Sequence, residues 1–160
     1  MKRLILASLL LLCAVHDCSA QKKAEKLTVC ITEQEYEIYQ TVGVGNFQNE
    51  THTYPLSENV VSELSGISPE TVADFKERNS RAYLLRCVNR PDGKTAKLRK
   101  SRGGNASSSF SRIGFDREGN EALVYDYWQA VGNYCGGEFV LLRKKAGKWE
   151  VVKKVSTVIC

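Results

Sequence analysis

Apolar residues recur at helical spacing in the first half of the chain. Thr32 followed by Glu33 and Glu35 is typical of a capped helix start with acid in its first turn. A second helix is predicted after Ser68, a favourable N-cap, because Pro69 suits the first helical position. The segment 57–64 has the composition of a third, short helix.

The second half of the chain alternates apolar and polar residues, which is the spacing of strands with one buried face. Ile113 and Phe115, for example, fall on the same side of one predicted strand. Gly119 and the pair Ala146-Gly147 mark tight hairpin turns between strands. The predicted strands are 82–88, 110–116, 121–131, 138–144 and 149–158.

An apolar sheet face of this kind can receive helices. The order of the elements therefore predicts an α+β fold, in which two or three N-terminal helices pack on a C-terminal antiparallel β-meander of about four to five strands. Between the two parts, the segment 92–109 is rich in basic residues, serine and glycine. We expect this segment to be a mobile surface loop.

The first 20 residues have the layout of a cleavable secretion signal. Lys2 and Arg3 form a basic start, 4–14 is almost entirely apolar, and the small residues Cys18 and Ala20 precede the expected cleavage point. The apolar run is far shorter than the roughly 20 residues that span a bilayer. A signal peptide is therefore more consistent with this segment than a membrane anchor is.

These features predict the domain organisation and the compartment. The expected parts are a signal peptide at 1–20, a flexible leader at 21–29 and a single α+β domain at 30–160. The mature protein would be secreted or periplasmic, with no transmembrane segment after removal of the signal.

The charge of the chain says little about its partners. A formal net charge of +5 is mildly basic, whereas a nucleic-acid-binding domain concentrates far more charge on one face. Specific nucleic-acid binding is therefore not expected. Arg99, Lys100 and Arg102 form a local basic cluster that would suit an anionic polymer, a membrane surface or an envelope polysaccharide. The alternative is a solvated, flexible loop.

The cysteines that follow the signal are Cys30, Cys87, Cys135 and Cys160. An oxidising compartment would join them as disulfides, and four cysteines allow three pairings. If the last hairpin turns at 146–147, its register brings Cys160 close to Cys135. We therefore predict a Cys135–Cys160 disulfide and, as the remaining pair, Cys30–Cys87.

Several segments resemble a family of uncharacterised bacterial exported small proteins. Members of that family carry a Cys-Gly-x-x-Cys-Gly stretch before the third of four C-terminal strands. Cys135 here matches the second cysteine, Val131 stands at the place of the first, and the resemblance makes Cys160 a replacement partner. The resemblance implies no activity, cofactor or catalytic residue. The matching segments are 35–39, 71–75, 110–115, 122–125, 136–139 and 147–149.

Two residues of the predicted strand 121–131 are candidates for ligand binding. Asp126 lies within an apolar stretch, where a carboxylate would act as a buried acid or contact a ligand; the alternative is that it faces solvent. Trp128, with Tyr127 and Tyr134, would form an aromatic platform for a sugar or a peptide. The alternative for these aromatic residues is core packing.

No motif in the sequence predicts a metal or a cofactor. His52 is the only histidine after the signal and has no recognisable partner, so we interpret it as an inert surface residue. Paired cysteine and histidine spacings of a metal site do not occur. The stretch 43–45 is too short for a phosphate-binding loop.

Two functions remain open at this point. The lack of a recognisable nucleophile–base pair favours an exported, non-catalytic binding or interaction module, with a small ligand, an envelope polymer or a protein as its partner. The alternative is a small secreted hydrolase that uses carboxylates such as Asp126 and Glu138. A deep pocket lined by two carboxylates would favour the hydrolase.

Overall fold

The computed structural model describes residues 26–42, 47–98, 106–130 and 134–159. Within these residues the chain forms one nine-stranded mixed sheet and three helices. The strands are β1 (Leu27–Thr32), β2 (Phe47–Thr51), β3 (Tyr83–Asn89), β4 (Thr95–Lys97), β5 (Ala106–Phe110), β6 (Gly114–Phe115), β7 (Glu121–Ala130), β8 (Cys135–Lys145) and β9 (Lys148–Ile159). The helices are α1 (Glu33–Val42), α2 (Glu58–Glu63) and α3 (Pro69–Arg78).

The strand order differs from the chain order. Along the sheet the strands follow the order β1-β3-β2-β5-β7-β8-β9, with β4 paired to β3 and β6 paired to β7. The pairs β1–β3 and β2–β5 are parallel, whereas the remaining pairs are antiparallel. The C-terminal strands β7, β8 and β9 do form a meander, but they are only one side of a larger sheet.

The predicted α+β arrangement, with N-terminal helices on a C-terminal antiparallel meander, was therefore wrong. Strands β1 and β2 alternate with the N-terminal helices, and β3 to β5 follow α3 and join the same sheet. Strand β1 escaped prediction because it is short, follows a lysine-rich stretch and pairs with β3, more than 50 residues away in the chain. Local patterns of hydrophobicity carry no information about such pairing.

The helices cover both faces of the sheet, not one. On one face, Ile38 and Tyr39 of α1 pack in a buried cluster with Val124 and Val140. On the opposite face, the cluster contains Phe75 of α3 together with residues of α2, β7, β8 and β9. Two covered faces explain why 122–125 and 139–142 are almost continuously apolar rather than alternating.

The starts of α1 and α3 agree with the sequence prediction. The Ser68 hydroxyl accepts a hydrogen bond from the backbone N–H of Thr71 at 3.0 Å, and Pro69 occupies the first turn. At α1, the N–H of Thr32 donates to Oε2 of Glu35 at 2.8 Å, and the N–H of Glu35 donates to the Thr32 hydroxyl at 3.1 Å. This reciprocal pair is a capping box, which satisfies two backbone donors at the helix end.

Two of the predicted turns are also confirmed. Gly119 has a φ of 69° between β6 and β7. Ala146 and Gly147 both have positive φ, of 49° and 80°, and they join Lys145 to its register partner Lys148. Positive φ at both central residues is the geometry of a type I′ hairpin turn.

The Cys30–Cys87 disulfide is confirmed. The two cysteines are register partners on the parallel strands β1 and β3, with their Cα atoms 4.5 Å apart. Cys135 is also disulfide-bonded. Cys160, its predicted partner, lies outside the described residues.

The boundaries of the expected leader and loop differ in the structure. Strand β1 begins at Leu27, within the expected leader at 21–29. Strand β4 and most of β5 fall within the expected loop at 92–109. The proposed signal peptide at 1–20 lies outside the described residues. Among the helices of the described part, none is both long and apolar enough to traverse a membrane.

Candidate functional site

A cavity of about 440 Å³ opens on the face of the sheet that carries α2 and α3. We call it the tyrosine groove. Its buried members are Val60, Tyr125, Phe139 and Val155, which belong to the core cluster on that face. Its more exposed members are Tyr54, Pro55, Ser57, Glu63, Tyr127, Ser156 and Thr157.

Aromatic rings form the centre of the tyrosine groove. The ring of Tyr54 lies over that of Tyr125, with centroids 4.1 Å apart. Tyr125 in turn contacts Phe139 at 4.6 Å, and Tyr127 lies 6.4 Å from Tyr54. Residues 125 and 127 reach the same groove because alternate residues of a strand share one face.

The hydroxyls of the central tyrosines are hydrogen-bonded within the protein. Tyr54 pairs with the Ser109 hydroxyl at 2.9 Å, and Tyr125 pairs with that of Thr157 at 3.0 Å. A Cβ at residue 137 would overlap the Tyr125 phenol, so the close approach requires glycine there. Burial raises the pKa of Tyr54 to about 12, despite the bond to Ser109, so the phenol stays neutral at physiological pH.

The segment between β2 and α2 separates this groove from a second cavity. Tyr54 and Pro55 line both the tyrosine groove and a neighbouring cavity of about 260 Å³, which also contacts Lys76 and Asn79. Leu56 anchors the segment, since its side chain is buried in the core. The wall between the two cavities is therefore one irregular stretch of chain.

Asp126 lies on the opposite face of the sheet, because its neighbours in β7 face the groove. Its register partner on β8 is Glu138, which forms an ion pair with Lys154 of β9. Burial, and next the Glu138 charge, raise the pKa of Asp126 to about 6, whereas Lys154 acts in the other direction. Its Oδ1 atom is buried and has no hydrogen-bond partner among the described residues.

Trp128 lies two positions beyond Asp126, on the same face, and is 43% exposed. Its register partner is Gly136. A Cβ at that glycine would come within 2.5 to 2.8 Å of three indole atoms, which places the ring directly over the glycine backbone. We call Asp126, Trp128, Gly136, Glu138 and Lys154 the Trp128 face.

The structure therefore brings some of the predicted residues together and not others. Asp126 and Glu138 are cross-strand neighbours, and Asp126 and Trp128 share a surface. Neither carboxylate lines the tyrosine groove, whose one acidic member within the described residues is the exposed Glu63. The predicted basic residues Arg99, Lys100 and Arg102 lie outside the described residues.

His52 is exposed immediately after β2, and its ring centroid lies 6.2 Å from that of Tyr54. Burial lowers its pKa, and the nearby positive charge of Lys26 acts in the same direction. The described residues contain no group of three or more histidine, cysteine or acidic side chains placed to hold a metal ion.

Sequence reasoning missed the two central members of the tyrosine groove, Tyr54 and Tyr125. Tyr125 had a usable signal, because residues 125 and 127 must point to one face of a strand. Tyr54 had none, since it lies on irregular chain and reaches β7 only through the tertiary fold.

Comparisons with protein-family models, with curated proteins and with solved structures find no match. The family resemblance of the sequence therefore stays a prediction. What the fold and the sites define is a sheet-rich, disulfide-bonded domain with a concave aromatic groove on one face and an exposed tryptophan on the other.

Proposed function

We propose that this protein is an exported, non-catalytic binding module and that a small amphipathic ligand occupies its tyrosine groove. The groove carries the proposal, because about 440 Å³ lies within the range of small-molecule sites, roughly 300 to 1,000 Å³. Export is supported by the signal-like start of the sequence and by the Cys30–Cys87 disulfide.

The distribution of polar groups suggests which ligand would fit. Tyr125, Phe139 and Val155 are almost fully buried and offer an apolar floor. Ser57 and Glu63 are exposed at the side formed by α2 and would face water and the polar end of a ligand. A molecule with a flat apolar part and one polar or cationic end would satisfy both regions.

The proposal is tested by screening small amphipathic molecules against the full mature protein, with amide chemical shifts as the readout. Tyr127 is half-buried, so Tyr127→Ala removes a groove wall while leaving the floor in place. We expect the affinity of any hit to fall about tenfold, the typical loss of one well-packed aromatic contact.

Tyr36→Ala provides the matched control, because Tyr36 is an exposed tyrosine of α1 on the other side of the sheet. Hits should keep their affinity for this variant. The proposal would be refuted if hits lost equal affinity for the two variants, or if no molecule in the screen shifted the amide signals of the groove.

One observation favours the alternative, a small secreted hydrolase. Asp126 and Glu138 are register neighbours, and a carboxyl with a pKa of about 6 is suited to act as a general acid. Against it, Lys154 pairs with Glu138, and the tyrosine groove is on the opposite face. The test is hydrolysis of a panel of nitrophenyl glycosides and esters. Activity in the wild type that disappears in both Asp126→Asn and Glu138→Gln would establish the hydrolase instead.

A further inference from the structure

Trp128 presents one face of its indole to solvent, and the position of the ring is fixed by its neighbour. The side chain is 43% exposed, although it lies within a sheet whose other tryptophan, Trp149, is only 7% exposed. Gly136 leaves the space in which the ring rests, since any larger residue there would collide with it. A large aromatic side chain held flat and exposed in this way is typical of a binding surface.

Polar groups of both kinds lie beside the indole. Asp126 and Glu138, both partly exposed, supply carboxylate acceptors. Lys154 supplies an ammonium donor and neutralises Glu138 through their ion pair. The surface therefore offers acceptors and a donor with little excess of negative charge.

We propose that the Trp128 face binds a neutral sugar ring of an oligosaccharide, stacked on the exposed indole. A pyranose has an apolar face of C–H groups that covers an aromatic ring, while its hydroxyls both donate and accept hydrogen bonds. A sugar hydroxyl that donates to the carboxylate of Asp126 or Glu138, or accepts from the Lys154 ammonium, would hold the ring over the indole. This site is independent of the tyrosine groove, which lies on the other face of the sheet.

A cationic peptide is the competing occupant, because tryptophan and carboxylates also attract ammonium and guanidinium groups. The structure favours the sugar over the peptide. Lys154 already compensates one of the two carboxylates and would repel a second cation close to Glu138.

The test uses the full mature protein on an array of neutral, amino and acidic oligosaccharides. Trp128→Ala removes the platform, and Leu27→Ala is the matched control, since Leu27 is 45% exposed on β1 at the far edge of the sheet. Thermal unfolding and circular dichroism of each variant establish that it is folded. We expect at least one neutral oligosaccharide to bind the wild type and Leu27→Ala, and to bind Trp128→Ala more than tenfold more weakly.

A second readout does not depend on the Trp128→Ala variant. The chain has two tryptophans, so Trp149→Phe leaves Trp128 as the sole source of indole fluorescence. The oligosaccharide found on the array should change the emission of Trp128 in this variant, and Asp126→Asn should weaken its binding several-fold. The proposal would be overturned if no neutral oligosaccharide bound the wild type more strongly than it bound Trp128→Ala. It would also be overturned if Leu27→Ala lost as much affinity as Trp128→Ala, or if the protein preferred an oligolysine peptide to the oligosaccharides.

Discussion

The buried carboxylate of Glu35 and the guanidinium of Arg112 form a two-point ion pair between α1 and the chain that enters β6. Oε1 of Glu35 accepts from Nε and Nη2 of Arg112 at 3.1 and 2.8 Å. The side chain of Glu35 is 1% exposed and that of Arg112 is 12% exposed. The residues are 77 positions apart, so this pair fixes one end of the helix to the sheet.

Glu35→Ala should therefore strongly destabilise the fold. The change leaves a nearly buried guanidinium without its partner and removes the acceptor of the Thr32 N–H. We expect the free energy of unfolding to fall by about 3 kcal/mol. Glu37→Ala on the same helix is the control, because Glu37 is exposed and should cost under about 0.5 kcal/mol. Urea unfolding that gives similar values for both variants would contradict this role of the pair.

Removal of the Cys30–Cys87 disulfide should lower stability mainly by freeing the unfolded chain. The bond closes a loop with a sequence separation of 57 residues. Loop-closure entropy for that length predicts a loss of about 4 kcal/mol in Cys30→Ala/Cys87→Ala. The m-value should also rise, because the unfolded chain becomes more expanded. An unchanged midpoint in non-reducing urea would show that the bond does not constrain the fold.

Residues that act through local geometry were predictable from the sequence. The caps at Thr32 and Ser68, and the turn at Ala146-Gly147, each depend on a few adjacent residues whose preferences are strong. The prediction that Cys30 and Cys87 are bonded came from the geometry of the last hairpin, which left them as the remaining pair.

Features that depend on distant residues were not predictable in the same way. Strand β5 contains the run Ala-Ser-Ser-Ser-Phe, whose polar composition indicates a loop, yet it pairs along β7. Its strand conformation follows from pairing with β2 on one side and β7 on the other, and this tertiary context overrides propensity. The Tyr54–Tyr125 contact is of the same kind, since the rings are brought together only by the folded sheet.

The turn at Ala146-Gly147 offers a direct test of backbone strain. Ala146 has a φ of 49°, where a Cβ is unfavourable and asparagine is tolerated far better. Ala146→Asn should raise the free energy of unfolding by roughly 1 kcal/mol. Gly147→Ala should lower it by a similar amount, although a Cβ at that position would touch nothing within 4 Å, so its effect is conformational. Thermal unfolding in which the two variants shift in the same direction would contradict this account.

The carboxyl of Asp126 should make stability depend on pH in a characteristic direction. Burial and the Glu138 charge raise its pKa to about 6, so the folded protein holds this proton more tightly than the unfolded chain does. Its contribution to stability is therefore present at low pH and is lost as the pH rises from about 4 to about 6. Asp126→Asn removes this titration. Relative to the wild type, the variant should gain roughly 1 kcal/mol between pH 4 and pH 7.5, a value reduced for partial screening by water.

NMR titration of the Asp126 carboxyl in two variants can separate the effect of burial on its pKa from the effects of the neighbouring charges. Glu138→Gln removes a negative charge that raises the pKa of Asp126, and Lys154→Met removes a positive charge that lowers it. The first variant should therefore titrate at lower pH than the wild type and the second at higher pH. Because burial is the largest cause, Asp126 should still titrate above its usual value, near 3.9, in Glu138→Gln. A titration near 3.9 in the wild type would mean that the carboxyl is solvated, and it would remove the pH dependence expected of Asp126→Asn.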